Sequence, residues 1–257
     1  MELDHIERVY LIGIGGIGMS GLARYFATRG CIVCGYDKTE TPLTDSLRNE
    51  GIQVVSVDDV DNIPFSFQEP DAGTLVIYTP AIPNDSAIFN HFKQHNFKLK
   101  KRSEVIGIIS KGMFTIAVAG THGKTTTSSI IAHILKDSGH DCSAFLGGIA
   151  SNYNTNILFG KNNVLVVEAD EYDRSFLSLH PDIAVVTSMD ADHLDIYGDK
   201  HELVESFKLF ASQLKPGGKL IKREGLPLEG GITYAANQNA TIQAQNIRVE
   251  DSKFSFD

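Results

Sequence analysis

The sequence lacks several features that would place it in common classes of protein. No apolar run in its 257 residues approaches the roughly 20 residues that a membrane-spanning helix needs. Basic residues are outnumbered, 23 against 32 acidic residues, and the net charge of -9 argues against nonspecific binding to nucleic acid. The first residues, Met1–His5, are acidic rather than basic, so we expect no secretory signal and a cytoplasmic protein.

Cysteine is also scarce. Cys31, Cys34 and Cys142 are an odd number of cysteines in a long chain, which favours free thiols in a reducing compartment. The first two have a Cys-x-x-Cys spacing, but there is no second pair, and a strand would point them to opposite faces. His91 and His95 have helical spacing without a third ligand nearby, so we interpret them as a solvated helix face rather than a metal site. No convincing Ser-His-Asp or Cys-His arrangement indicates a side-chain nucleophile.

The chain contains the same pattern twice: an apolar strand, a glycine-rich turn and a helix. Its length, and an average composition with 42% hydrophobic and 21% charged residues, favour two globular domains. We therefore predict an α/β fold. A Rossmann-like domain with a parallel sheet would cover residues 1–110, and an incomplete P-loop-type ATPase domain would cover residues 111–257.

The first glycine turn follows the apolar strand 8–12 and has the spacing Gly-x-Gly-x-x-Gly over residues 13–18. A helix, a second strand over residues 31–36 and then Asp37 complete the dinucleotide-binding fingerprint. The glycines let a diphosphate approach the backbone at a helix N-terminus, and Asp37 can accept hydrogen bonds from a ribose. The pattern indicates a diphosphate beside a ribose more securely than it indicates nicotinamide.

The second glycine turn, Gly120-Thr-His-Gly-Lys-Thr-Thr-Thr127, joins the apolar strand 114–119 to a helix. A standard P-loop has a glycine where this sequence has Val118, so the turn is a variant form. Its backbone N–H groups would face an anion, Lys124 would contact the β and γ phosphates, and Thr125 would offer Mg2+ a hydroxyl ligand. The candidate ATP-binding residues are Gly120, Thr121, His122, Gly123, Lys124, Thr125 and Thr126.

Two later strands end in acidic residues. The apolar run 164–167 leads into Glu168-Ala-Asp-Glu171, and the run 182–189 leads into Asp190-Ala-Asp-His-Leu-Asp195. Carboxylates at the carboxyl edge of a parallel sheet can ligate phosphate-bound Mg2+. Two such strand ends after a P-loop therefore predict a metal site.

The rest of the chain gives weaker signals. Helices are expected near 41–50, 85–94, 102–112 and 200–214, and strands near 53–57, 75–78, 98–102, 142–146 and 219–222. We expect the polar residues 152–156 to form a loop. From Glu224 onward the chain is weakly patterned.

The motifs together resemble the Mur ligases, ATP-dependent amide-forming enzymes of bacterial cell-wall precursor synthesis. The resemblance rests on residues 13–20, 120–127, 168–171 and 190–195, and it extends over essentially the whole chain. The phosphate loop departs from the common P-loop in the same way as the family's loop. Within the family, the motifs are most similar to those of members that join L-alanine to UDP-N-acetylmuramate.

This resemblance implies an enzyme of three domains that bind the UDP sugar, ATP and the amino acid. It implies that ATP and Mg2+ are used to join L-alanine to the carboxylate of UDP-N-acetylmuramate through an acyl phosphate. The third domain has no counterpart here, so we expect a fragment, a monomer or weak dimer, that binds nucleotides without turnover. A recycling ligase that adds a whole tripeptide to the same sugar nucleotide is the alternative. An NAD-dependent oxidoreductase and a non-catalytic nucleotide-binding module are less favoured.

The resemblance also implies roles for individual residues. Lys124, Glu168 and His193 would be catalytic. Mg2+ would be ligated by Thr125, Glu168 and His193. The UDP sugar would be bound by Gly13, Gly15, Gly16, Gly18, Asp37 and Arg102.

Three further segments have family counterparts. Arg102 and Glu104 resemble an element at the border of the first domain, and residues 152–156 resemble a loop close to the muramoyl carboxylate. Related ligases carry a carbamylated lysine at about the position of Lys208. The alanine-adding members are not expected to use it.

Overall fold

The computed structural model describes residues 3–190, 200–250 and 253–257. The chain divides into two compact units. The first contains Met1–Gly112 and Ala144–Phe159, and the second contains Met113–Ser143 and Gly160–Asp257. Each unit is therefore assembled from segments that are not contiguous in sequence.

The first unit is built on a parallel sheet. Its strands are β1 (Arg8–Ile12), β2 (Ile32–Tyr36), β3 (Gln53–Val55), β4 (Thr74–Tyr78) and β5 (Lys98–Lys101), and its helices are α1 (Ile17–Thr28), α2 (Pro42–Asn49), α3 (Ala87–Gln94) and α4 (Arg102–Gly112). The strands lie in the order β3-β2-β1-β4-β5, and every adjacent pair among them is parallel. The order steps outward from β1 in both directions, so the carboxyl ends of β1 and β4 border one crevice. The predicted Rossmann-like sheet is confirmed.

An aromatic core supports this sheet. Tyr10 on β1 is fully buried, as are Phe67 and Phe92. The ring centroid of Tyr10 lies 5.5 Å from that of Phe67 and 4.8 Å from that of Phe92. Strands that are buried on both faces appear in sequence as continuous apolar runs, which is why β1 and β4 were predictable.

The second unit contains a further parallel sheet. The strands that follow in the chain are β6 (Phe114–Ala119), β7 (Ser143–Ala150), β8 (Thr155–Leu158), β9 (Val164–Glu168), β10 (Ile183–Val186), β11 (Lys219–Arg223), β12 (Ile232–Ala236) and β13 (Ile242–Ala244), and the helices are α5 (Lys124–Asp137) and α6 (Lys200–Ser212). The strands of the second unit lie in the order β13-β12-β11-β10-β6-β9. Their pairings are parallel. The phosphate-loop strand β6 therefore lies between the two strands, β9 and β10, that lead into the acidic motifs.

Strands β7 and β8 form an antiparallel hairpin where residues 152–156 were expected to be a loop. Asn154 occupies the turn with a positive φ of 52°, and β8 begins at the next residue. The expectation was wrong for the second half of that segment. Glycines within β7 and asparagines around the turn look like loop residues in sequence, and only pairing with the other strand makes them extended.

The hairpin packs on α1 within the first unit. Asn156 is 2% exposed, and its Nδ2 donates to the carbonyl of Ile17 at 2.5 Å. Its Oδ1 accepts from Arg24 at 3.4 Å. The ring of Phe145 lies 5.8 Å from that of Tyr25. Residues distant in sequence thus complete the surroundings of the helix that follows the first glycine turn.

The region after Glu224 is more structured than its weak pattern indicated. In addition to β12 and β13, it forms an antiparallel pair, β14 (Arg248–Glu250) and β15 (Lys253–Ser255). Val249 is 62% exposed and Phe254 is 73% exposed. These short strands depend on backbone pairing rather than on apolar burial, so periodicity could not reveal them.

Helix α5 packs on its sheet through small side chains. Ser128 and Ala132 are fully buried, whereas Ile130 and Ile134 are 53% and 58% exposed. The apolar spacing predicted the helix correctly, but the face that packs carries the small residues. Small side chains let α5 lie close to β6 and β9.

The cysteines form no disulfide among the described residues, and the two histidines of α3 and its C-terminal end stack on each other. All three cysteines are free thiols, and burial raises the pKa of Cys34 and Cys142 to about 11. The rings of His91 and His95 stack at 4.2 Å, and burial lowers the pKa of His91. Within the part of the chain that the structure describes, no helix is both long enough and apolar enough to span a bilayer.

Candidate functional site

The first glycine turn connects β1 to α1. Gly13 has a φ of 87°, and Gly16 is the N-cap of α1. Because glycine supplies no capping side chain, the N–H groups of the first helical turn are directed at whatever lies in front of the helix. This arrangement favours an anion.

A cavity of about 300 Å3 lies in front of this turn. It is lined by Gly13, Gly16, Gly18, Met19, Tyr36, Asp37, Lys38, Thr79, Ala81, Ile82, Pro83 and Arg102. Gly13, Gly16, Gly18, Asp37 and Arg102 were all predicted for this site, and the structure brings them together. Burial raises the pKa of Tyr36, and Asp58 and Asp37 add to the shift, so its phenol keeps its proton.

Arg102 lies directly against Gly18. A Cβ on Gly18 would lie 2.5 Å from Cζ and 2.7 Å from Nη2 of Arg102. Only glycine allows the guanidinium to lie this close to the start of α1. At the same corner, the backbone N–H of Lys101 donates to the Glu104 carboxylate at 2.6 Å, which ties the first turn of α4 to the end of β5.

Asp37 braces the first turn. Its Oδ2 accepts from the backbone N–H of Gly15 at 2.8 Å, and its Oδ1 accepts from Thr39 N–H at 2.9 Å. Gly15 contacts Asp37 but is not among the residues that line the cavity. Each carboxylate oxygen has a second lone pair, so a ribose hydroxyl can still be accepted. Asp37 therefore has a structural role that the sequence did not predict, and its role in binding a ribose stays a prediction.

The second glycine turn connects β6 to α5. Gly120 has a φ of 136°, and Gly123 is the N-cap of α5 with a φ of 83°. A Cβ on Gly120 would clash with the Thr187 hydroxyl and would lie 2.8 Å from the backbone nitrogen of Ser188. The turn is thus possible only with glycine at this position.

Two acid contacts define the polar centre of this turn. Lys124 Nζ donates to the Gly120 carbonyl at 2.8 Å and lies 2.9 Å and 2.8 Å from the two oxygens of Glu171. Thr125 Oγ1 donates to Glu168 Oε1 at 3.0 Å. The predicted members Lys124, Thr125 and Glu168 are therefore in one place. Glu171 was noted only as part of the acidic motif, without a role.

Hydroxyl groups after β10 brace the second turn. Thr187 Oγ1 donates to the carbonyls of Ala119 at 3.1 Å and His122 at 2.5 Å. Ser188 Oγ accepts from His122 N–H at 2.7 Å and lies 2.9 Å from Thr121 Oγ1. Sequence reasoning missed this brace, although hydroxyl residues between an apolar strand and the Asp190 motif were a visible signal.

The Asp190–Asp195 motif begins at the phosphate loop. The backbone N–H of Asp190 donates to Thr121 Oγ1 at 3.1 Å. His193, predicted as a metal ligand, lies outside the described residues. Among the residues that are described, no cluster of three or more His, Cys, Asp or Glu side chains is present. Thr126 lies in the first turn of α5, next to Thr125.

Lys208 lies away from these contacts. Its Nζ donates to Glu205 Oε1 at 2.8 Å on the outer face of α6. Both side chains of this ion pair are exposed to solvent, so the pair contributes little to stability. A carbamylated Lys208 was not expected from the sequence.

Two family models match the chain. The model for the catalytic domain of the Mur ligase family matches residues 8–113, and the model for the Mur ligase middle domain matches residues 118–257. The chain belongs to the Mur ligase family. In this Mur ligase chain, one glycine turn falls in each matched segment, which agrees with the resemblance found in the sequence.

Individual Mur ligases are similar over the whole chain. The UDP-N-acetylmuramate--L-alanine ligase of Flavobacterium johnsoniae is 53% identical over 257 residues, which is 100% of this chain and 57% of the relative. The crystal structure of the UDP-N-acetylmuramate-alanine ligase MurC from Thermotoga maritima matches 94% of this chain and 55% of its own, with a TM-score of 0.82 and 28% identity. The chain thus spans a little over half the length of the curated relatives that it matches.

A ligase from Neisseria meningitides has the same fold. The structure of UDP-N-acetylmuramate:L-alanyl-gamma-D-glutamyl-meso-diaminopimelate ligase from Neisseria meningitides has a TM-score of 0.83 and covers 97% of this chain and 86% of its own. Its sequence identity to this chain is 21%. This likeness shows the fold alone, so it does not separate the two ligase subtypes.

Proposed function

We propose that this chain is the sugar-nucleotide-binding and ATP-binding part of a ligase that joins L-alanine to the carboxylate of UDP-N-acetylmuramate in peptidoglycan precursor synthesis. The observation that carries the proposal is the presence of two different glycine turns, one per unit, of which the second holds Lys124 at the N-terminus of α5. The 53% identity to a relative with this activity supports the choice of substrates.

The second turn fits the triphosphate of ATP. Gly120 and Gly123 give the backbone the curvature that directs successive N–H groups at one anion, and α5 adds its positive end. Lys124 supplies a point charge at the rim of that cradle. We assign Gly120 to Thr126 to ATP binding on this basis.

Mg2+ fits the oxygen donors beside the loop. Thr125 Oγ1 and Glu168 Oε1 lie 3.0 Å apart, and hydroxyl and carboxylate oxygens are the ligand types that this hard cation prefers. We propose that these two side chains hold the ion, together with His193. When bound, Mg2+ neutralises charge on the phosphate oxygens.

The chemistry follows from the weakness of a carboxylate as an acyl donor. In the proposed reaction, the carboxylate of the muramoyl group attacks the γ phosphorus of ATP, and ADP leaves. The amine of L-alanine then attacks the acyl carbon, loses a proton, and inorganic phosphate leaves. Lys124 and the loop N–H groups offset the repulsion between the two anions and stabilise the transferring group, so no side-chain nucleophile is needed.

The first turn would hold the diphosphate of UDP-N-acetylmuramate. Gly13, Gly15, Gly16 and Gly18 bring the backbone close to the ligand, with the N-terminus of α1 facing it. Arg102 adds a guanidinium at the cavity wall, which suits a phosphate. Asp37 would accept a ribose hydroxyl.

A tripeptide-adding recycling ligase is the second candidate, because the Neisseria meningitides structure shares the fold across both units. The sugar nucleotide is common to both candidates, so the two glycine turns do not separate them. An NAD-dependent oxidoreductase accounts for the first turn but leaves the second unexplained.

Calorimetric titration of the chain with UDP-N-acetylmuramate, with NADH as the comparison ligand, tests the proposal. We expect the sugar nucleotide to bind and NADH not to bind. Binding of NADH without the sugar nucleotide would overturn the assignment of the first site. A parallel titration with ATP and Mg2+ tests the second site separately.

A further inference from the structure

Glu171 is a fully buried acid beside the phosphate loop. Its two carboxylate oxygens lie 2.9 Å and 2.8 Å from Lys124 Nζ. A buried carboxylate is costly unless a cation and hydrogen bonds compensate it. The lysine that the proposed function assigns to ATP therefore also stabilises a buried anion.

The position of Lys124 is set by these contacts. A lysine ammonium has three protons to donate. One is directed at the Gly120 carbonyl at 2.8 Å and another at Glu171. The Lys124 side chain is 14% exposed, so its head group is held within the turn instead of extending into solvent. The third proton is then available to a ligand.

Glu171 is itself held in place. It leads into the short 3-10 helix Tyr172–Ser178, and its carbonyl accepts from Arg174 N–H at 2.9 Å. The residue follows Glu168 by three positions, so one short segment supplies the partner of Thr125 and the partner of Lys124. The carboxylate thus lies at a fixed distance from the turn.

We propose that Glu171 is a positioning residue that acts as an exchangeable counter-ion of Lys124. Its carboxylate holds the ammonium in the turn and competes with the terminal phosphate of a nucleoside triphosphate for that ammonium. This inference rests on the proposed function, since it assumes that the loop binds ATP. Two anions that share one cation weaken each other's binding, so Glu171 lowers the affinity for ATP while it keeps Lys124 in position.

The first test is a calorimetric titration of the chain with ATP and Mg2+. Glu171→Gln keeps the shape of the side chain and removes its charge, and we expect roughly tenfold tighter ATP binding than in the unmodified chain. Glu171→Asp keeps the charge and should stay within about threefold of the unmodified affinity. If Glu171 were merely a structural residue, Glu171→Gln would bind ATP equally or more weakly, and either result would overturn the proposal.

Glu202→Gln is the matched control. Glu202 on α6 forms an exposed ion pair at 3.2 Å with Arg174, which lies in the segment that follows Glu171. Its carboxylate makes no contact with Lys124. Its removal should leave ATP affinity unchanged. An equal gain in affinity for Glu202→Gln would show that general loss of negative charge, not the counter-ion of Lys124, is responsible.

A second readout does not need a folded Glu171 variant. Nitrogen-15 spectra of lysine ammonium groups, with Lys124 assigned through Lys124→Arg, should show a slowly exchanging signal that shifts when ATP and Mg2+ are added. A Lys124 signal that exchanges as fast as surface lysines would overturn the inference. If the unmodified chain binds UDP-N-acetylmuramate but no ATP, the ATP site of the proposed function fails and the inference fails with it. If it binds ATP and only the Glu171 results fail, the proposed function stands.

Discussion

The two glycine turns of this chain both end at a glycine N-cap, but they differ in backbone conformation and in electrostatic support. Gly16 is extended, with a φ of -65°, whereas Gly123 is left-handed, with a φ of 83°. Asp37, a carboxylate, braces the first turn by accepting the Gly15 N–H at 2.8 Å. The neutral hydroxyls of Thr187 and Ser188 brace the second. The second turn also contains its own cation, Lys124, whereas the cations near the first turn, Lys38 and Arg102, come from other segments.

This difference separates two ways of binding phosphate. A turn braced by an acid relies on backbone N–H groups and on a cation from elsewhere, which suits a diphosphate that is held but not transferred. A turn with its own lysine can follow charge that moves during phosphoryl transfer. The comparison therefore predicts that changes in one turn leave the ligand of the other untouched.

Lys124→Ala should have the largest effect. We expect ATP affinity to fall by more than about 100-fold, because a charge-assisted contact to phosphate is lost. Binding of UDP-N-acetylmuramate should be unchanged. Calorimetry with both ligands measures this, and Lys136→Ala, which removes another lysine of α5, is the control. If a folded variant lost affinity for both ligands equally, the two turns would not bind their ligands independently.

The same variant should also be less stable. Removal of Lys124 leaves the buried Glu171 carboxylate without this partner, which costs about 3 kcal/mol of unfolding free energy. Adding Glu171→Gln to Lys124→Ala should recover much of that loss, because the neutral amide is less costly to bury. Urea unfolding of the single and double variants measures the coupling.

Gly120→Ala should destabilise the second turn by about 3 kcal/mol, through a combination of backbone strain and overlap with the brace at Ser188. Gly139→Ala is the matched control, since Gly139 has a φ of 80° but nothing within 4 Å of an added Cβ. The control should cost about 1 kcal/mol, from strain alone. Similar losses for both variants in urea unfolding would show that the brace exerts no steric constraint.

Gly18→Ala should destabilise the first turn less than Gly120→Ala destabilises the second. The new Cβ would lie 2.5 Å from Cζ of Arg102, but a flexible side chain can move, so we expect less than about 1 kcal/mol of lost stability. Displacement of the guanidinium should weaken UDP-N-acetylmuramate binding by about tenfold and leave ATP binding unchanged. Gly21→Ala, where an added Cβ meets Asn156 at an ordinary 3.4 Å, is the control on the same helix.

High pH should lower the free energy of unfolding of both units. The loss should be similar in the two units and smaller than the losses expected for Lys124→Ala and Gly120→Ala. Burial raises the pKa of Cys34 in the first unit and Cys142 in the second to about 11, from 9.0. Because the folded pKa is the higher one, this stability is present below pH 9 and is lost as the pH rises towards 11. We expect a loss of about 1 kcal/mol per thiol at pH 10. Urea unfolding of Cys34→Ala and Cys142→Ala at pH 8 and 10 separates the two contributions; a pH dependence that survives both changes would assign it to other groups.

The sequence allowed good prediction wherever the signal was local. The apolar strands and both glycine turns depend on short motifs whose spacing is visible in one stretch of chain. The contact of Thr125 with Glu168 joins two such motifs from different stretches, and it was expected because each motif follows an apolar strand. The hydroxyl residues before the Asp190 motif were visible in the sequence, but the partners of Thr187 and Ser188 were not, because they lie more than 60 positions away. The burial of Glu171 was equally hidden, since it depends on how the segment after β9 packs.

The strands that were missed share one physical cause. The first half of β7 was expected, as a strand near 142–146. The second half of β7, β8 and the strands after Glu224 are held by pairing between backbones, and their sequences contain glycine, asparagine and exposed apolar residues. Pairing partners cannot be read from periodicity. The role of residues 152–156 next to the muramoyl carboxylate stays a prediction, as does that of His193.

The hairpin also limits how this molecule can be divided. A piece that ended at Gly112 would keep every strand of the first sheet but would lose Asn156 and Phe145, and with them one hydrogen bond to the Ile17 carbonyl and one ring contact of Tyr25. The two units therefore cannot be exchanged by cutting the chain between them once. A recombination event or an engineered fusion at residue 112 would separate α1 from the residues that complete its packing. A transplantable first unit has to bring residues 144–159 with it, joined by a new linker, even though they are encoded within the sequence of the other unit.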